Sequence, residues 1–139
     1  MQKSRSVRSC YDVCMYGLDF ENRQDLYDKI NARVDDMLAR GLLDEVRCLC
    51  EIRGHHGETR EPYTSAQAIG HKELLPHLYG EYNLETCTEK LKMNTRNYAK
   101  RQLTWFRKNV HINWLYMNEN AGYDTILENA INVYEKFKK

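Results

Sequence analysis

The sequence predicts a mainly α fold with two short strands. Three observations carry that reading. Five stretches repeat apolar side chains at spacings of three and four, the period of an amphipathic helix. Two shorter stretches, 11–18 and 111–117, crowd aromatic and apolar residues into strand-length runs. Glycines and cap-type residues fall between these stretches, where helices stop and start.

Taken in order, Tyr11–Leu18 reads as a short buried strand. Asp19 is placed to cap a helix over 22–40, whose Leu26, Ile30, Val34, Met37 and Leu38 keep helical spacing. Gly41 is placed to end it in the left-handed region. Leu42, Leu43, Val46, Leu49 and Cys50 give a second helix, finishing near Gly54. Residues 54–62 are polar, with two Gly, two His and a Pro, and read as a loop. Thr64 or Ser65 can cap a short turn through Ile69, and Gly70 allows a positive φ. Lys72–Tyr79 is a short helix that Pro76 kinks or starts late, and Gly80 closes it. Asn83 can cap a long helix over 84–108. His111–Met117 alternates as a second strand. Asp124 then caps a last helix through Leu127, Ala130, Ile131, Tyr134 and Phe137.

Composition narrows the classes. Hydrophobic residues make up 42% of 139, enough for one core. No apolar run approaches the ~18 residues of a membrane span. Residues 1–10 form a basic leader (Lys3, Arg5, Arg8), expected to be disordered, and Asp12 breaks any secretory h-region after it. Five cysteines, at 10, 14, 48, 50 and 87, are an odd number without a CxxC pair. Cys48 and Cys50 with His55 and His56 fit no common tetrahedral zinc site, so no metal is expected on this chain. Reduced, mostly buried thiols and a cytoplasmic location follow.

The most informative stretch is Asn94–Lys108. Arg96, Lys100, Arg101, Arg107 and Lys108 are mixed there with Tyr98, Gln102, Trp105 and Phe106, in a chain whose net charge is only +1. Cations hold phosphates, while rings and amides stack on or hydrogen-bond to bases. On a helix, Leu84, Cys87, Leu91, Thr95, Tyr98, Gln102 and Trp105 or Phe106 make a core-facing stripe. Lys92, Arg96 and Lys100 share another face at i, i+4, i+8, where like charges repel by a few tenths of a kcal/mol per pair. Such a face suits an outside anion or plain solvation, and periodicity leaves both open.

The residues of three blocks resemble a known family. NTRNYA followed by KRQLTWFRKN (94–109), LYDKINARVDDM with GLLDEV (26–46), and AIGHKEL (68–74) are similar, in order and spacing, to signatures of tRNA dimethylallyltransferases. His71 stands where that family usually has Tyr. The resemblance runs from about residue 11 to residue 117. The family's phosphate-binding loop, G-x-x-x-x-G-K-[ST], has no counterpart: the glycines at 17, 41, 54, 57, 70, 80 and 122 open no GKT or GKS. Its early general-base Asp has none either. The resemblance therefore implies the C-terminal part of an α/β P-loop-type nucleotide-binding fold, with residues 11–139 as its helical C-terminal part. In that fold the two strands join a parallel sheet supplied largely by the other half.

The same resemblance implies function. Two segments correspond to contacts with the tRNA anticodon stem-loop: Ala66, Gln67, Ala68, Ile69, Gly70 and His71, and Lys100, Arg101, Gln102, Leu103, Thr104, Trp105, Phe106 and Arg107. Core packing is the competing account of Trp105 and Phe106, and is preferred for at least one of them. Arg33, in the RVD triplet, corresponds to an arginine near the diphosphate of the prenyl donor, an anion its fork of donors suits. An ordinary helix arginine paired with Asp36 explains it as well. Dimethylallyl diphosphate would be met through the other half, and Mg²⁺ is implied for the complete enzyme with none bound by this chain. No catalytic residue is expected here. Two readings from other classes stand beside this one, a stand-alone helical RNA-binding module and a purely structural piece.

Overall fold

A computed structural model describes residues 11–52, 68–117 and 122–138. The leader 1–10, the loop 54–62 with His55 and His56, the cap at Thr64 or Ser65, and Ala66 and Gln67 lie outside the described residues. The elements are β1 (Met15–Phe20), α1 (Arg23–Ala39), α2 (Leu42–Ile52), α3 (His71–Leu78), α4 (Leu84–Phe106), β2 (Ile112–Met117) and α5 (Tyr123–Phe137). The mainly helical class with two strands is borne out. The chain divides into two units, one of residues 22–105 and one of residues up to 21 together with 106 onward.

The 22–105 unit is built on a small apolar centre. Val34 of α1, Val46 of α2, Leu74 of α3 and Cys87 and Leu91 of α4 are all essentially inaccessible, and Leu38, Leu42, Leu43, Leu75, Leu78 and Leu84 pack around them. Truncating one of the buried leucines to Ala costs about 2–5 kcal/mol. Local chemistry sets the ends. Asn22, not Asp19, caps α1: its Oδ1 accepts from Gln24 N at 3.0 Å. Gly41 at φ +99° and Gly80 at φ +71° end α1 and α3 as the sequence predicts. Asn83 Oδ1 accepts from Thr86 N at 2.8 Å and caps α4. Pro76 sits inside α3, which begins at His71, one residue earlier than predicted.

In the other unit, β1 and β2 pair in parallel, with Met15 opposite Ile112 and Phe20 opposite Met117. Strand β1 begins at Met15 rather than Tyr11. Gly17 is placed where a Cβ would come within 2.8 Å of Ile112 Cγ2 and of the Trp114 ring. Only glycine therefore lets the Trp114 ring lie over β1. α5 packs on the strands, and the Tyr16 hydroxyl donates to Ala130 O at 3.0 Å. The residue before α5 is Gly122, with Asp124 in the first turn instead of at the cap. There the acid still faces the positive end of the helix dipole. Asp19 is a strand residue, 4% exposed.

Candidate functional site

The basic face of α4 splits into an engaged part and an open part. Lys92 Nζ lies 2.8 Å from Asp35 and 3.4 Å from Glu89. Its pKa is raised, chiefly by the hydrogen bond to Asp35. Arg96 Nη1 donates to Asn31 Oδ1 at 2.6 Å, and its guanidinium lies 5.9 Å from the Tyr27 ring centroid. Two cations of the i, i+4, i+8 series thus bind α1 rather than an outside anion. Lys100, the third, is exposed and has no hydrogen bond or ion pair to its side chain among the described residues. Arg101 is also exposed, with its guanidinium 5.8 Å from the Tyr98 ring centroid.

The expected core stripe ends early. It is buried at Cys87 and Leu91, but Tyr98 is 44%, Phe106 42% and Trp105 67% exposed, and Gln102 is exposed too. The preference for core packing of Trp105 or Phe106 is corrected accordingly: the periodicity runs on past Cys87 and Leu91, where α4 joins the buried cluster. Leu103 alone of the last turns is half-buried, and Thr104 Oγ1 turns back to Lys100 O at 2.8 Å. Over Tyr98–Trp105, α4 therefore presents cations, an amide and rings to solvent together, side-chain types that hold phosphates and stack on bases.

Arg107 belongs to the other unit and is engaged there. Its Nη2 donates to Asp19 Oδ2 at 2.5 Å, while Asp19 Oδ1 accepts from Phe20 N at 2.8 Å. Sequence reasoning missed this pair, because Asp19 had a local explanation as a cap.

The second predicted segment is described from Ala68. Ala68 and Ile69 are exposed, and Ala68 O accepts from His71 N and Lys72 N, both at 3.2 Å. Gly70 is buried at φ +105°, a conformation that favours glycine. His71 is half-buried, its Nε2 3.7 Å from Glu45 Oε1. Glu73 and Asn94, which sequence reasoning also missed, join this turn to α4: Glu73 accepts from Gly70 N and from Asn94 Nδ2, each at 2.9 Å. An acid three residues after the cap position, the capping-box spacing, was the available signal.

Arg33 stands exposed on α1 without a side-chain partner among the described residues. Asp36 pairs instead with Arg40 at 2.9 Å. No group of three or more His, Cys, Asp or Glu side chains converges among the described residues. Of the described cysteines Cys87 alone is buried. Cys14 and Cys50 are half-buried and Cys48 is exposed, so burial falls short of the expectation. No helix among the described residues is long and apolar enough to cross a membrane.

Comparison with known proteins adds an independent line. The sequence profile of a family described as IPP transferase matches residues 1–109. A tRNA dimethylallyltransferase of Caldanaerobacter subterraneus is 44% identical over 119 residues, 86% of this chain and 36% of its own length. One of Streptococcus mutans is 46% identical over 123 residues, 88% of this chain and 39% of its own length. The chain thus spans little more than a third of the length of these curated relatives. The crystal structure of a tRNA isopentenylpyrophosphate transferase from Bacillus halodurans superposes with a TM-score of 0.78 at 40% identity, over 94% of this chain and 41% of that one. A tRNA delta(2)-isopentenylpyrophosphate transferase from Staphylococcus epidermidis gives 0.77 at 40% identity, over 91% of this chain and 39% of its own.

Proposed function

The chain belongs to the IPP transferase family, and on that premise we propose that it is the C-terminal, tRNA-gripping part of a cytoplasmic tRNA dimethylallyltransferase. In the proposed reaction, N6 of the adenine 3′ of the anticodon attacks C1 of dimethylallyl diphosphate. The C1–O bond breaks, diphosphate leaves, and the N6 proton passes to a base. The phosphate loop and that base would come from a partner half, so this chain alone should not turn over. Mg²⁺ would be met by the complete enzyme through the other half. Residues 11–139 would then form the helical part of a larger nucleotide-binding domain, with its two strands joining a longer sheet.

The observation that carries the reading is the open end of α4. Upstream, Lys92 and Arg96 are tied to α1, yet Lys100, Arg101, Gln102 and Trp105 are left exposed. These are the residues of the KRQLTW stretch that resembles the relatives. In this reading Lys100 and Arg101 hold phosphates of the anticodon stem-loop and Trp105 offers a stacking surface. Ala68–His71 makes a second contact, and Ala66 and Gln67 extend it. Arg33 faces the donor diphosphate as a bidentate cation.

The test mixes the chain with the N-terminal half of a related enzyme, labelled dimethylallyl diphosphate and tRNA. Prenylated tRNA from the mixture, with none from either half alone, is the expected result. Tight tRNA binding by the chain without any product from the mixture would instead leave a stand-alone RNA-binding module.

A further inference from the structure

Of the described residues, only Asp19 and Glu73 are both charged and buried. Asp19 faces an arginine, whereas Glu73, 3% exposed, meets no cation among the described residues. Its two oxygens go to different segments: Oε2 accepts from the Gly70 backbone N–H and Oε1 from Asn94 Nδ2, each at 2.9 Å. The first turn of α3 and two neutral donors offset the desolvation of this carboxylate only in part. Packing alone does not account for it. What the two bonds do achieve is geometric. One fixes Gly70 at φ +105°, and the other ties that turn to α4 six residues before Lys100.

We propose that Glu73 is a positioning residue, which bridges Gly70 and Asn94 so that the Ala68–His71 turn and the Lys100–Trp105 stretch meet the same RNA. The proposal rests on the RNA reading above. Both segments and the bridge lie within the 22–105 unit, so the geometry is internal to one body. A carboxylate suits this role because it accepts at both oxygens. Glutamine, of equal size, accepts at one position and donates at the other, so it keeps both bonds only if the Asn94 amide turns over to present Oδ1.

The experiment measures binding of an anticodon stem-loop RNA to the full chain, far below its melting temperature. Parent, Asn94→Asp, Asn94→Ala and the exchange Glu73→Gln with Asn94→Asp are compared. Asn94→Asp, which sets two carboxylates face to face, and Asn94→Ala should each weaken binding about tenfold, the loss expected for one charged hydrogen bond. The exchange should recover most of it, because the amide introduced on α3 can donate to the carboxylate introduced on α4 while still accepting from Gly70. A role in stability alone would lower melting temperatures but leave affinity unchanged at a temperature where every variant is folded. If Asn94→Asp does not fold, Asn94→Ala, which keeps the Gly70 bond, gives the same reading. Equal affinity in parent and single variants overturns the positioning role and leaves the RNA reading standing. Weakened single variants that the exchange does not rescue also overturn it. A parent that binds no RNA removes the RNA reading and this proposal together.

Discussion

Trp105→Ala and Arg107→Ala offer the sharpest test of the structure, because sequence and structure rank them in opposite order. The helical stripe makes Trp105 a core residue whose truncation costs ~3–5 kcal/mol and Arg107 a surface cation of little consequence. The structure leaves Trp105 67% exposed and sets Arg107 against an Asp19 that is 4% exposed. Removing Arg107 strands a carboxylate inside the protein. Breaking a buried pair costs about 3–5 kcal/mol, but the Arg107 side chain is itself 52% exposed and water can replace part of what is lost. About 2 kcal/mol remains. Near 140 residues that corresponds to a fall in Tm of roughly 6 °C. Trp105→Ala, losing little buried area, should stay within about 0.5 kcal/mol, roughly 2 °C. Thermal melts followed by circular dichroism decide the order, and Asp19→Asn added to Arg107→Ala should recover part of the loss by removing the stranded charge. A larger fall for Trp105→Ala would refute the reasoning and return that ring to the core.

Further outcomes are expected. Replacing Lys100 and Arg101 together by Ala should flatten the salt dependence of tRNA binding by roughly one or two units, whereas Lys92→Ala should leave the slope alone because Lys92 is held by Asp35. Equal slopes for the double variant and the parent would exclude these cations from the interface. Tyr16 is raised from its ordinary 10.0 to about 12, first by its hydrogen bond to Cys14 and then by burial. The folded state favours the neutral phenol, so this stabilisation is complete below pH 10 and is lost as pH rises through about 12. Absorbance titration of parent against Tyr16→Phe should show the missing phenol ionising near 12, and a difference centred at 10 would count against the Tyr16 environment. Burial, with the Glu51 charge behind it, raises the Cys50 thiol, so Cys50 should alkylate more slowly than exposed Cys48. Peptide mapping after brief iodoacetamide treatment would show the reverse order if Cys50 were open.

Local chemistry made most of the fold legible. Gly41, Gly80 and Asn83 act through their own neighbours, and the helix ends they mark fall within two residues of expectation. What failed was decided at a distance. Asp19 reads as a cap because the arginine that claims it lies 88 residues on. Arg96 reads as an outward cation because Asn31 is 65 residues away. Tyr98 and Trp105 continue a core period faithfully, and nothing in that period records where the buried cluster stops. Of the candidate site, the residue types were legible and their division into tied and open cations was not. Glu73 had a local signal in its capping spacing, but its link to Asn94 did not.

The parallel pairing of β1 with β2 also bears on the order in which the molecule assembles. The helical unit is an uninterrupted run of chain, residues 22–105, while its companion is drawn from both sides of that run. Closing the strands across an unstructured loop of roughly ninety residues would cost about 4 kcal/mol in chain entropy. A helical unit that has already condensed shortens the effective loop and lowers that barrier. Residues 22–105 have all their internal partners once synthesis passes Trp105, before β2 exists. Sheet closure would then be the late, non-local event, and Gly17, which must admit the Trp114 ring, would sit at that step.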